Sequence, residues 1–149
     1  MITIDYLKID GSTELESIAI SAAKTALEND PVDLTVAFCD NQYIQELNLQ
    51  FRGIDSPTDV LSFPSDEINP ESGNRYLGDI VVSYPQALSQ AEAARNSFAS
   101  EVSMLVVHGV LHLRGFDHDN SENKKIMWSK QTSILSSLGI KMDKFTGDE

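Results

Sequence analysis

The spacing of hydrophobic and polar residues along this 149-residue chain changes period several times, and each change marks an element. In ITIDYL, Ile2, Ile4 and Tyr6 alternate with other residues, the period of two expected of a half-buried strand. STELESIAISAAKTALEND then takes helical spacing. Leu15, Ile18, Ala19, Ala22, Ala26 and Leu27 form one stripe, Ser12 or Thr13 is the N-cap, and Glu16 completes a capping box from Thr13. PVDLTVAF returns to alternation through Leu34, Val36 and Phe38, a second strand opened by Pro31. Asp40 or Asn41 caps a short helix that turns Ile44, Leu47 and Phe51 inward.

Prolines punctuate the middle of the chain. Pro57 and Pro64 bracket a short strand from about Asp59 to Phe63, and because proline cannot donate to a ladder this strand belongs at a sheet edge. PSDEINPESGNRY is polar and turn-rich and reads as a mobile loop. LGDIVVSY is the clearest strand, and the helix after it carries Pro85 in its first turn and runs to about Arg95. Ser97 caps FASEVSMLVVHGVLHLR, whose middle is apolar on nearly every side, so it is a central, buried helix stopped by Gly115. A last amphipathic helix runs through Ile126, Met127, Lys130, Ile134 and Leu138 to Gly139.

The length suits one domain with its own core, read as residues 1–140 with a frayed tail over 141–149. No apolar run of membrane-spanning length and no secretion signal pattern occurs, so a cytoplasmic protein without a membrane partner is expected. The single Cys39 fits a reducing compartment and reads as a small buried hydrophobe. A formal net charge of −12 and a pI near 4.5 exclude a protein that holds nucleic acid by a general basic field. A phosphate partner must meet a local basic group, and the arginines available are Arg52, Arg75, Arg95 and Arg114.

All three histidines lie in HGVLHLRGFDH. His108 and His112 are four residues apart on a helix, which places them about 40° apart around the axis and about 6 Å along it. They share a face, and Gly115 lets the chain turn back so that His118 can close on the same ion. Three neutral imidazoles suit one zinc ion per chain, although nickel, copper or iron would accept them. Three protein ligands leave a fourth position open, the arrangement of a catalytic site. Asp117 and Asp119 flank His118, and either could accept a proton from a ligand histidine, although a capping role at the last helix competes for Asp119. Where a zinc peptidase of the H-E-x-x-H kind carries its glutamate base, this chain has Gly109.

HGVLHLRGFDH, together with FRGIDSPTDVLSFP and LGDIVVSYPQA, resembles the bacterial rRNA maturation factor YbeY family of metal-dependent endoribonucleases. The resemblance implies an α+β fold, a single compact domain with a small mixed β-sheet packed by about five helices and a zincin-like three-His site on a central helix. It also implies zinc on His108, His112 and His118, and a catalytic set made of these three and Arg52. The activity implied is single-strand-specific cleavage in rRNA 3′-end maturation and ribosome quality control. The implied partners are single-stranded rRNA of the pre-16S type and a ribosomal subunit or ribosomal proteins. Three answers to the missing glutamate stay open: another carboxylate, a water acidified by the metal, or the 2′-OH of RNA. The rival readings are a zinc metallopeptidase-like hydrolase and a ribosome assembly factor whose metal is mainly structural.

Overall fold

The computed structural model describes residues 1–142, and within them these patterns become four strands and five helices. Their order is β1 (Ile2–Leu7), α1 (Thr13–Leu27), β2 (Asp33–Cys39), α2 (Asn41–Arg52), β3 (Val60–Pro64), β4 (Tyr76–Ser83), α3 (Tyr84–Ala94), α4 (Phe98–Leu113) and α5 (Ser121–Ser137). The sheet runs β1-β2-β4-β3. β1, β2 and β4 are parallel, and β3 joins β4 antiparallel as an edge, where Pro64 leaves no interior ladder bond unmade. The fold is therefore α+β with a mixed sheet, as the resemblance implies. No helix among the described residues is long and apolar enough to cross a membrane.

The two central strands are buried on both faces, which alternation alone does not reveal. Leu34, Val36, Phe38, Ile80 and Val82 point into the main core, with α1, α4 and α5. Ala37, Cys39, Leu61 and Val81 point the other way, into a smaller core closed by Ile44 of α2. Cys39 is fully enclosed there, and burial, with the neighbouring Asp40 carboxylate, pushes its thiol up to about 12. Helix α4 is the hub, packed against α1, α3 and α5 on one side and against β3 and β4 on the other.

Several local expectations are corrected by packing. Ser12 is the N-cap of α1, its side chain accepting from Leu15 N, so Glu16 lies one residue beyond the capping-box position. Phe51 does not turn inward: α2 buries Ile44 and Asn48, leaving Phe51 58% exposed with its ring edge-on to Phe63. On α5 the buried stripe is Met127, Gln131, Ile134 and Leu135, and Ile126 faces out. Ile140 and Met142 rest against the main core, and the rest of the expected frayed tail, 143–149, lies outside the described residues.

The loop before β4, read from sequence as mobile, is tied down by a buried acid. Asp33 accepts hydrogen bonds from Asn69 Nδ2, Ser72 Oγ and Asn74 Nδ2 of that loop and from the Met1 amine. The amine first, then these hydroxyl and amide donors, hold its carboxyl far below the usual carboxylate range. A depressed folded value means that the unfolded chain takes up the proton first as the pH falls. The stabilisation is thus complete above about pH 4 to 5 and is lost as the pH drops through the folded value. Asp33→Asn is therefore expected to lower stability by about 1–3 kcal/mol at neutral pH. Thermal unfolding against pH checks this: the gap between the two proteins should narrow steadily below about pH 4, and a constant gap contradicts the assignment.

Candidate metal centre

Helix α4 carries two of the three histidines, and its seat on the sheet decides where they point. Gly109 faces Ile80 of β4 so closely that a Cβ there would stand 2.7 Å from Ile80 Cγ2. Ser62 of β3 adds a weak bond from its hydroxyl to the Gly109 carbonyl at 3.5 Å. The residue after the first histidine is thus pressed against the sheet, and any side chain there would require Ile80 to shift. Packing disfavours a glutamate base at this position.

With Gly109 against the sheet, His108 and His112 come together at one end of the helix. Their Nε2 atoms are 3.1 Å apart and their ring centroids 4.6 Å apart. The chain then reverses through Gly115, at φ +97°, with Gly115 N bonded to His112 O and Phe116 N to Leu111 O. Phe116 packs on the main core, and the short return brings the His118 ring over the His108 ring at 5.8 Å and 21°. One ring nitrogen from each histidine lies within 4.8 Å of the other two. His108 is buried, and the other two are half-buried.

The donor set fits a metal ion. In a tetrahedral site with Zn–N bonds of about 2.0–2.1 Å the ligand nitrogens stand about 3.3 Å apart, so His108 and His112 are already at ligand spacing. Two imidazole lone pairs facing each other at this distance repel unless a proton or a cation lies between them, and His118 offers a third donor at the same place.

Arg52 meets the histidines across a cleft of about 370 Å³ whose lining includes Ser62, Pro64, His108, His112 and His118. It sits in the last turn of α2, before Gly53 ends the helix. The segment after it is pinned back by Asn48 Nδ2 on Ser56 O at 2.9 Å and Gln45 Nε2 on Asp55 Oδ1 at 3.0 Å. Buried Asp59 then anchors the entry to β3, accepting from Val60 N and from Gln90 Nε2, while its carbonyl accepts from Ser83 N. Of the other arginines, Arg75 faces Asp30, Arg95 occupies the left-handed cap of α3, and Arg114 bonds Ala26 O and Glu28. Glu28 also pairs with Lys130 at 2.6 Å; that bond first, and Arg114 as well, lower its carboxyl from its usual value.

The aspartates flanking His118 turn to local tasks. Asp117 accepts from His118 N at 2.7 Å, and Asp119 accepts from Asn123 Nδ2 at 2.9 Å. The cap of α5 is Asn120, so the expected capping role of Asp119 passes to its neighbour. Two residues that sequence reading missed stand behind the site. Asp59 organises β3, and buried Gln131 of α5 places its Oε1 3.0 Å from His108 Nδ1. A polar residue set in the apolar stripe of an amphipathic helix was the available signal for Gln131.

The chain is similar to proteins already known. The family described as Endoribonuclease YbeY matches residues 5–139. A relative named Endoribonuclease YbeY from Caldanaerobacter subterraneus subsp. tengcongensis is 40% identical, covering 90% of this chain and 93% of its own. One of the same name from Geobacillus kaustophilus is 40% identical, covering 93% and 97%. A solution structure of a Thermotoga maritima protein aligns with a TM-score of 0.63 and 32% identity over 93% of this chain and 92% of that one.

Two measurements bear on the centre. Gly109→Ala gains about 1 kcal/mol of helix propensity but overpacks against Ile80 at a cost of about 1–3 kcal/mol, so its melting temperature should fall, and in an Ile80→Ala background, which lacks the Cγ and Cδ atoms it meets, the same change should cost less. Elemental analysis of purified protein dialysed against zinc should find about one ion per chain and much less in His112→Ala; equal content in both contradicts the site.

Proposed function

The chain belongs to the Endoribonuclease YbeY family, and from that premise we propose a zinc-dependent endoribonuclease that cuts single-stranded rRNA between a three-histidine wall and Arg52. It is a metal-dependent endoribonuclease, a hydrolase with RNA as substrate. The finer reading is zinc as the ion, pre-16S rRNA 3′-end maturation and ribosome quality control as the task, and the cytoplasm as the place. The observation that carries the site assignment is the shared cleft, which Arg52 lines together with the three histidines.

Zinc, when bound, supplies Lewis acidity toward a phosphoryl oxygen. The chain's own part is to position. His108, His112 and His118 line the cleft together with Arg52, whose guanidinium, a planar fork of donors, would pair two phosphoryl oxygens at once. Charge growing on those oxygens during cleavage is met by donors already in place. Ser62 and Pro64 of the edge strand line the cleft as well.

Among the described residues no carboxylate lines the cleft, and Asp117 and Asp119 bond elsewhere. This weighs against the peptidase alternative, which needs a carboxylate to move a proton. It favours a reaction in which the proton leaves the RNA 2′-OH or a water without a protein carboxylate. The net charge of −12 makes RNA recognition a local matter and suits basic ribosomal proteins as partners that bring the substrate near.

The test is to map RNA ends made from a single-stranded pre-rRNA fragment and from its duplex, with and without ribosomal subunits. Wild type should cut the single strand, Arg52→Ala should lose about 10²–10³ in kcat, and His112→Ala should lose cleavage together with its metal. Cleavage that is equal in all three and indifferent to chelator would assign the activity to a contaminant.

A further inference from the structure

We propose that Gln131 is a positioning residue that fixes the tautomer and ring orientation of His108, so that helix α5 sets the metal-ligand atom before any ion arrives. This rests on the three-histidine reading above. Gln131 is fully buried between Met127, Ile134 and Leu135, a place where an apolar side chain would pack without polar loss. An amide put there without a partner costs about 1–3 kcal/mol; its oxygen has the ligand histidine as partner across the α4–α5 interface, while its buried Nε2 meets no partner among the described residues.

The chemistry of the contact is directional. Gln131 Oε1 lies 3.0 Å from His108 Nδ1, and a carbonyl oxygen only accepts, so Nδ1 carries the proton and Nε2 the lone pair. That Nε2 is the atom 3.1 Å from His112 Nε2, inside the ligand cluster. The reversed amide would donate to Nδ1 and force the proton onto Nε2, aimed at His112. Only the orientation with the oxygen inward leaves His108 able to bind. His108 is 1% exposed, so water does not compete for Nδ1.

The choice of an amide has a second consequence. A carboxylate behind a ligand histidine raises its basicity and offsets part of the ion's charge. Gln131 orients the ring while staying neutral, and three neutral imidazoles leave a dication fully charged toward an anionic phosphodiester. Gln131→Glu should therefore keep or tighten zinc binding while slowing RNA cleavage, and Gln131→Leu should weaken zinc binding.

Long-range ¹H–¹⁵N spectra of the metal-free wild type at about pH 8.5, where an ordinary imidazole is neutral, should show His108 protonated at Nδ1; a spectrum dominated by Nε2–H overturns the proposal. Zinc affinity, measured by competition with a chromophoric chelator on variants whose fold is checked by circular dichroism, should fall about 10–100-fold in Gln131→Leu and not in Gln131→Glu. Unchanged affinity in folded Gln131→Leu, or equal loss in both, also overturns it. Should Gln131→Leu fail to fold, the wild-type spectrum and Gln131→Glu decide. None of these readouts uses RNA, so a protein that passes them and cleaves no RNA keeps the role of Gln131 and loses the nuclease site reading. A wild type that takes up no zinc removes both.

Discussion

At Gly109 helix α4 approaches strand β4 to within the width of a missing methyl group, and the arrangement of the metal centre follows from that contact. Successive residues of a helix are turned about 100° from each other. With position 109 pressed onto Ile80, positions 108 and 112 are carried round to the cleft between the helix end and edge strand β3. The same contact crowds the place a glutamate base would take, since a side chain there would have to displace Ile80. A site built on this contact has ligands and no adjacent carboxylate, and its chemistry must be one that proceeds without it.

The sheet adds a second constraint because it has a core on each face. Along β3, Val60 belongs to the main core and Leu61 to the smaller one, while Ser62 and Pro64 line the metal cleft and Phe63 packs toward α2. One strand thus separates the histidines from the layer that holds α2, and Arg52 reaches the cleft from the end of that helix. Its reach depends on packing on the far face: Ile44 against Ala37 and Val81, and Asp59 joining β3 to β4 and α3. Residues that never touch RNA set where the guanidinium stands.

What was legible in the sequence was local. The His108–His112 spacing, the turn at Gly115 and the caps at Ser97 and Asp40 depend on neighbours within a few positions, so they read directly from the chain. The edge position of β3 was legible because Pro64 restricts the ladder from either side. Contacts between distant segments were not. Nothing near Phe51 says that α2 will turn it outward, and nothing near Asp33 says that Asn69, Ser72 and Asn74 will converge on it. Gly109 was visible as an absence, but its cause lies 29 positions back at Ile80. Of the four arginines only position in the fold separates Arg52 from Arg114, which is spent on closing α1 against α4.

An acidic nuclease poses an electrostatic problem that the placement of charge resolves. A chain of net charge −12 repels a polyanion at distance, within the reach that salt allows. Inside the cleft the balance is reversed, because its lining holds Arg52 and three imidazoles and no described carboxylate. This recess has a volume of about 370 Å³. A flexible single strand can bring one phosphate into such a recess while its neighbours turn away from a protein of net negative charge. A duplex presents its phosphates on a rigid cylinder and must bring many of them against the protein surface at once. On the proposed reading, a net repulsive charge and a small attractive cleft would favour a single-stranded substrate without any base-specific contact, and would leave the choice of sequence to whatever holds the substrate in place.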